Sequence, residues 1–153
     1  MQKKIRYKEI GFEDLENLEN LQKKYTDEIN NIWTCKELKN HIKKKTSFSR
    51  VSKCGGKTIG FLLSLYSEHL MDIFLIFVTP EFRGRGVAKN FLKDIKEFCK
   101  LNFINKITLE VNEDNQAAYF LYLKFGFKII GKRKDYYFMN KKKSDAIIME
   151  LNL

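Results

Sequence analysis

Along segment 106–111 apolar and polar positions alternate with a period of two, Ile107, Leu109 and Val111 against Thr108 and Glu110. That is the pattern of a strand with one buried face. Segment 73–78 is apolar at every position and predicts a strand covered on both faces. A helical period takes over in Val87, Ala88, Phe91, Leu92, Ile95, Phe98 and Cys99, with Lys89, Lys93, Lys96 and Lys100 facing away. Leu15, Leu18, Leu21 and Tyr25 mark the inner side of a helix over 13–25, and Thr34 with Glu37 forms a capping box that starts a second helix near Cys35. Further strands are predicted over 5–10, over 47–53 and 57–66 as a hairpin turned by Gly55 and Gly56, and over 145–151. A polar break at 112–114 precedes a helix over 116–124 that ends at Gly126. Segments 127–131 and 132–138 continue as extended chain, and 139–144 is a connecting loop. The order predicts one mixed α/β domain over residues 1–153, with a sheet of about six or seven strands.

Between the strand at 73–78 and the helix that begins near Val87 lies Thr79-Pro80-Glu81-Phe82-Arg83-Gly84-Arg85-Gly86. A glycine-bearing turn that opens a helix leaves several backbone N–H groups without intrahelical partners at the positive end of the helix dipole. Arg83, Arg85 and Lys89 are close enough in sequence to add charge-assisted bonds to a phosphate. Glycines after a strand also serve purely conformational ends, so the turn alone leaves anion binding and a tight connection equally open. The spacing excludes a Gly-x-x-x-x-Gly-Lys-Ser/Thr loop and a Gly-x-Gly-x-x-Gly fingerprint.

Composition narrows the classes. The chain has 153 residues, 44% of them hydrophobic, enough for one substantial core. No stretch approaches the roughly 20 apolar residues of a membrane span, and the first residues lack the apolar segment of a signal peptide, which predicts a soluble cytoplasmic protein. Cys35, Cys54 and Cys99 fit neither a disulfide framework nor a zinc site, and Cys99 sits on an apolar helical stripe as a core thiol. His69 is expected in a loop and His41 on a solvated helix face, which leaves no metal site and no Cys/His nucleophilic pair. A formal net charge of +10 admits an anionic partner, but no nucleic-acid module is present, so a solvated lysine-rich surface is expected rather than specific nucleic-acid contact.

Two ordered motifs resemble those of the GCN5-related N-acetyltransferases. Arg83, Gly86 and Ala88 match that family's acetyl-CoA loop, Gln/Arg-x-x-Gly-x-Gly/Ala. Asn115, Ala118, Leu121, Tyr122, Gly126 and Phe127 reproduce Asn-x-x-Ala-x-x-Leu-Tyr-x-x-x-Gly-Phe. Within the superfamily the likeness is to the RimI-type ribosomal-protein N-terminal alanine acetyltransferases, through Leu109-Glu110-Val111, Tyr136-Tyr137, Asp145 to Met149 and Ile32-Trp33-Thr34.

The resemblance implies a mostly antiparallel sheet with helices on both faces, in which the strands at 73–78 and 106–111 splay apart to admit the pantetheine arm of acetyl-CoA. It places the pyrophosphate on the turn, with Arg83, Gly84, Arg85, Gly86, Val87, Ala88 and Lys89 as cofactor contacts, Asn115 on the cofactor arm, and main-chain groups of Phe77 and Val78 on the pantetheine and thioester. Glu110 matches the general base and Tyr122 the general acid, while Tyr136 and Tyr137 match residues that hold the substrate's first residues. Adjacent strand residues point to opposite faces, so one of those tyrosines is expected to pack inward. The sequence departs from the family's pattern here at Asp135, Phe138 and Lys141 to Lys143, which leaves the acceptor open between a protein N-terminus, ribosomal proteins first, and a small amine such as a polyamine, amino acid or aminoglycoside. A polyamine pocket would draw on Glu68, Asp72, Glu110 and Asp135. A third reading, a cofactor-fold binding module without catalysis, is opposed by the presence of both Glu110 and Tyr122.

Overall fold

The apolar periods resolve into seven strands and four α-helices in a computed structural model that describes residues 2–153. In chain order these are β1 (Ile5–Glu9), α1 (Leu15–Lys24), α2 (Cys35–Ile42), β2 (Arg50–Cys54), β3 (Lys57–Tyr66), β4 (Leu70–Val78), α3 (Val87–Leu101), β5 (Lys106–Asn112), α4 (Gln116–Phe125), β6 (Lys128–Met139) and β7 (Lys142–Asn152). Short 3-10 turns at Phe12–Asp14 and Pro80–Phe82 lead toward α1 and α3. The strands form one sheet in the order β1-β2-β3-β4-β5-β7-β6. Every neighbouring pair is antiparallel except the central β4 and β5. No helix among the described residues is long and apolar enough to cross a membrane.

The sheet carries a core on each face. Phe91, Leu92, Ile95 and Cys99 of α3 pack with Ile107, Leu109 and Val111 of β5 on one side. Leu15 and Leu18 of α1 and Leu38 of α2 pack with Val51, Phe61, Leu63 and Phe77 on the other. The Thr34–Glu37 capping box forms as expected: Glu37 N–H donates to Thr34 Oγ1 (3.2 Å) and Thr34 N–H to Glu37 Oε2 (2.8 Å).

Several boundaries differ from the periodic reading. β2 starts at Arg50, and Ser47 joins the sheet only through an isolated bridge to Leu65. β4 begins three residues early, at Leu70, because Met71 fills the α3 core while Asp72 on the opposite face accepts a bond from Thr108 Oγ1 (3.0 Å). The expected loop at 139–144 contracts to Asn140 and Lys141, with φ of +52° and +60°. Positive φ at both central residues is the demand of a two-residue hairpin turn, and asparagine meets it best. His41, expected in solvent, is 3% exposed: its ring packs on Trp33, and its Nε2 donates to the carbonyl of Ser64 on β3 (3.2 Å).

A buried carboxylate ties the first strands together. Asp14 is fully buried and accepts from Gly11 N–H (2.9 Å), Lys8 Nζ (2.5 Å) and, through its second oxygen, pairs with Lys53 Nζ (2.6 Å). Burial alone would raise its pKa, but the Lys53, Lys8 and Gly11 contacts outweigh it and hold the carboxyl below its ordinary value. A depressed folded pKa means a contribution present in full above the unfolded carboxyl value near 3.9 and lost as pH falls through the folded one. Asp14→Asn is therefore expected to cost about 2 kcal/mol at pH 7, by leaving two lysines facing a neutral amide. Urea unfolding of wild type and variant checks this: the gap stays constant from pH 7 to 5 and narrows below pH 4.

Candidate functional site

A gap in the sheet comes first. β4 and β5 pair only from Leu70↔Lys106 to Ile73↔Leu109. Beyond that point β4 stays on β3, through Leu75↔Leu63 to Val78↔Gly60, and β5 stays on β7, through Glu110↔Ile148 to Asn112↔Ala146. The edges of 74–78 and 110–112 that face each other are thus unpaired, and unpaired strand edges offer main-chain donors and acceptors to an extended ligand.

At the end of β4, Pro80–Phe82 turns the chain and Gly84 and Gly86 adopt φ of +72° and +80°. A Cβ built on either glycine meets no heavy atom within 4 Å. The left-handed backbone therefore requires glycine, while the space beside it stays open. Asn90 is the first residue of α3 whose N–H finds an intrahelical acceptor, Gly86 O (2.9 Å). The N–H groups of Val87, Ala88 and Lys89 precede it at the positive end of a 15-residue helix, and Lys89 itself is exposed. The polar main chain and open approach fit a pyrophosphate.

The arginines divide. Arg85 stacks on Phe82 (4.8 Å) and lines a cleft of about 510 Å³ with Lys3, Lys4 and Asn90. The Arg83 guanidinium forms a bidentate pair with Glu28 from the α1–α2 loop, and its Nε donates to Val78 O (3.0 Å), which fixes the last carbonyl of β4.

Ionisable groups gather on the other side of the gap. Glu110 lies opposite the buried Leu109 and Val111, as the alternation predicts, and its Oε1 accepts from Arg133 Nε on β6 (2.7 Å). Arg133 also covers the ring of Tyr136 (5.4 Å). Tyr137, half buried, has its phenol pushed up to about 12, by burial first and then by Glu110 and Tyr136, with Arg133 opposing. Tyr122 on α4 is buried, and burial, with Tyr137 as the next cause, raises its pKa further. Both phenols keep their protons at neutral pH. Asn115 caps α4, its Oδ1 accepting from Ala118 N–H (3.2 Å), which leaves its amide N–H groups as donors.

Tyr136 and Tyr137 do not take opposite faces. Their rings meet edge to face at 5.1 Å. Between Arg133↔Ala146 and Tyr137↔Ser144 the register of β6 slips, and Asp135 sits at φ +51°, its N–H donating to Asp145 Oδ1 (2.9 Å). This irregularity breaks the alternation that separates neighbours in a regular strand.

Periodicity gave no notice of Glu28, Arg133 or Gln22. Gln22, fully buried, accepts from Trp33 N–H (2.8 Å) and donates to Trp33 O (3.0 Å), anchoring the loop before α2. Their partners are 11 or more residues away, so only an unusual polar residue on an apolar helical face, as at Gln22, could have drawn attention.

Comparison with known proteins bears on the family and the fold. Residues 13–137 match the family described as an acetyltransferase (GNAT) domain. A Bacillus subtilis (strain 168) protein, provisionally named a ribosomal protein bS18 alanine N-acetyltransferase, is 38% identical over 74 residues, 48% of this chain and 48% of that one. Spermidine N(1)-acetyltransferase of Escherichia coli (strain K12) is 30% identical over 113 residues, 71% of this chain and 60% of that one. The alignments thus span between about half and three fifths of these relatives. The crystal structure of the ribosomal-protein-S18-alanine N-acetyltransferase from Escherichia coli superposes with a TM-score of 0.86 at 21% identity, over 97% of this chain and 94% of that one. The shared fold is the mixed, mostly antiparallel sheet split between its central strands.

Proposed function

The chain belongs to the GNAT acetyltransferase family, and from that premise we propose that it transfers the acetyl group of acetyl-CoA to the α-amine of a protein N-terminus. The observation that carries the acceptor reading is the Glu110–Arg133 pair at the mouth of the split. A polyamine site needs uncompensated acid facing the acceptor. Glu110 is covered by a guanidinium and Asp72 accepts from Thr108, while Glu68 and Asp135 lie exposed, where solvent and salt screen them. A protein carrying +10 would repel a polycation from such a site.

A monocationic α-amine asks less. Its pKa near 7.7 to 8.0 leaves roughly a tenth neutral at pH 7, against a few in ten thousand for lysine. Arg133 Nε marks where a cationic nitrogen can meet Glu110, so an arriving α-ammonium exchanges with it there. That ammonium first gives one proton to solvent by way of Glu110, after which the neutral nitrogen forms its bond to the acetyl carbon and the carbon–sulfur bond breaks. Its surplus proton leaves through Glu110, directly or by a water, and the departing sulfur takes one from Tyr122. The main chain of Phe77 and Val78 lines the open edge of β4, where Arg83 steadies Val78, and would hold the pantetheine and polarise the thioester carbonyl. The cradle of Gly84 to Lys89 would hold the pyrophosphate, and Asn115 the cofactor arm. Tyr136 and Tyr137 flank the acceptor. Likeness to the Bacillus protein supports a ribosomal protein as substrate, and likeness to the spermidine enzyme supports the small-amine alternative.

Thiol release with mass spectrometry of products distinguishes them, over peptides with free N-termini, N-terminally blocked lysine peptides and polyamines. Acetylation is expected on free peptide N-termini, with polyamines and blocked peptides turned over at least about a hundredfold more slowly. Turnover confined to polyamines would reject the α-amine acceptor.

A further inference from the structure

β4 changes faces at Phe74. Leu75 pairs with Leu63 but Ile73 pairs with Ser64, so Phe74 is the extra residue of a β-bulge. Before it, Met71 and Ile73 lie in the core under α3; after it, Leu75 and Phe77 lie against the core under α1 and α2. Phe74 itself, although central in an apolar strand, is 47% exposed.

What is not exposed is held by aromatic edges. The Phe74 ring meets Trp33 at 6.1 Å and 77°, and His41 at 5.7 Å and 83°. Trp33 and His41 meet each other at 5.2 Å and 83°. Gln22 grips the main chain of Trp33 from both sides, and His41 is fixed to Ser64. Burial lowers the His41 pKa, so the trio is uncharged at neutral pH.

Its position relates it to the chemistry. Phe74 stands one residue beyond Ile73, the last residue of β4 paired with β5, and Glu110 one residue beyond Leu109, the partner of Ile73. Leu109 points into the α3 core, so Glu110 occupies the opposite face, the face on which Trp33 packs. The exposed part of the Phe74 ring and the Glu110 carboxylate therefore share one face of the sheet, each one residue past the last paired position, across the opening of the split. An α-amine carries its first side chain on the carbon next to the nitrogen, so an apolar surface on the base's own face is placed to meet that side chain.

We infer that Phe74, backed by Trp33 and His41, is the wall that receives the acceptor's first side chain and selects N-termini beginning with a large apolar residue, methionine or leucine, over alanine, serine or glycine. The inference rests on the α-amine reading above and departs from the alanine in the name of the Bacillus relative. Phe74 is a specificity determinant, since a half-exposed phenyl edge offers apolar surface and no proton.

Peptides identical except for a first residue of Met, Leu, Ala, Ser or Glu test it. Wild type is expected to prefer Met and Leu over Ala and Ser by about tenfold or more in kcat/KM, the usual worth of a few buried methylenes. Phe74→Ala should shrink the preference to within about threefold, chiefly through KM for the peptide, with KM for acetyl-CoA unmoved. Phe74→Lys should shift selection toward the peptide beginning with Glu. A wild-type preference for Ala or Ser, or an unchanged ranking in both folded variants, overturns the inference while leaving the α-amine reading standing. Turnover of polyamines with no peptide acetylated overturns both.

Discussion

Replacing Glu110 by glutamine is expected to lower kcat for a free peptide N-terminus by about 10²- to 10³-fold, with KM for acetyl-CoA within about twofold of wild type. The substitution keeps the shape of the side chain and an oxygen for Arg133 Nε, so the β5–β6 contact survives. It removes the capacity to accept a proton. That loss has a pH signature: below the α-amine pKa of about 7.7 to 8.0 the acceptor is mostly ammonium and needs a base twice, once to become neutral and once after attack. The deficit should therefore be deepest near pH 6.5 and narrow toward pH 9. Steady-state rates across that range check it, and a variant as active as wild type would remove Glu110 from the chemistry.

The second large effect concerns the turn before α3. Gly86→Ala is expected to raise KM for acetyl-CoA by about 30-fold or more, since its Cβ enters the open space beside the N–H groups of Val87 to Lys89 and strains the backbone that aims them. Strain alone is separable from binding. Gly56, in the β2–β3 hairpin, has φ +81° and equally open surroundings. Both alanine variants should lose about 1 kcal/mol of stability, the usual cost of a non-glycine residue in the left-handed region, but only Gly86→Ala should lose acetyl-CoA. Equal effects of the two on cofactor binding would reduce the turn to a conformational device.

Much of this architecture is legible in the chain because the signals are local. The α3 stripe, the alternation of β5, the Thr34–Glu37 box and the αL glycines each specify a conformation within a few residues. The side of β5 on which Glu110 lies follows from a period of two. Elsewhere the same rules mislead. His41 sits at a position that reads as solvated because its partner, the Ser64 carbonyl, arrives from 23 residues away. The partner of Arg83, Glu28, is likewise 55 residues distant, and no local pattern announces it.

By itself, the sequence determined the elements, their order, the glycine turn at the head of α3 and the family. Tertiary structure alone decided where β4 and β5 part, that Phe74 turns outward beside Trp33, that Arg133 covers Glu110 and that Tyr136 and Tyr137 share a side. Periodicity records which residues avoid water along one segment. Contacts between segments depend on register, and one extra residue in a strand, invisible in the wholly apolar run around Phe74, reverses the face of every residue after it.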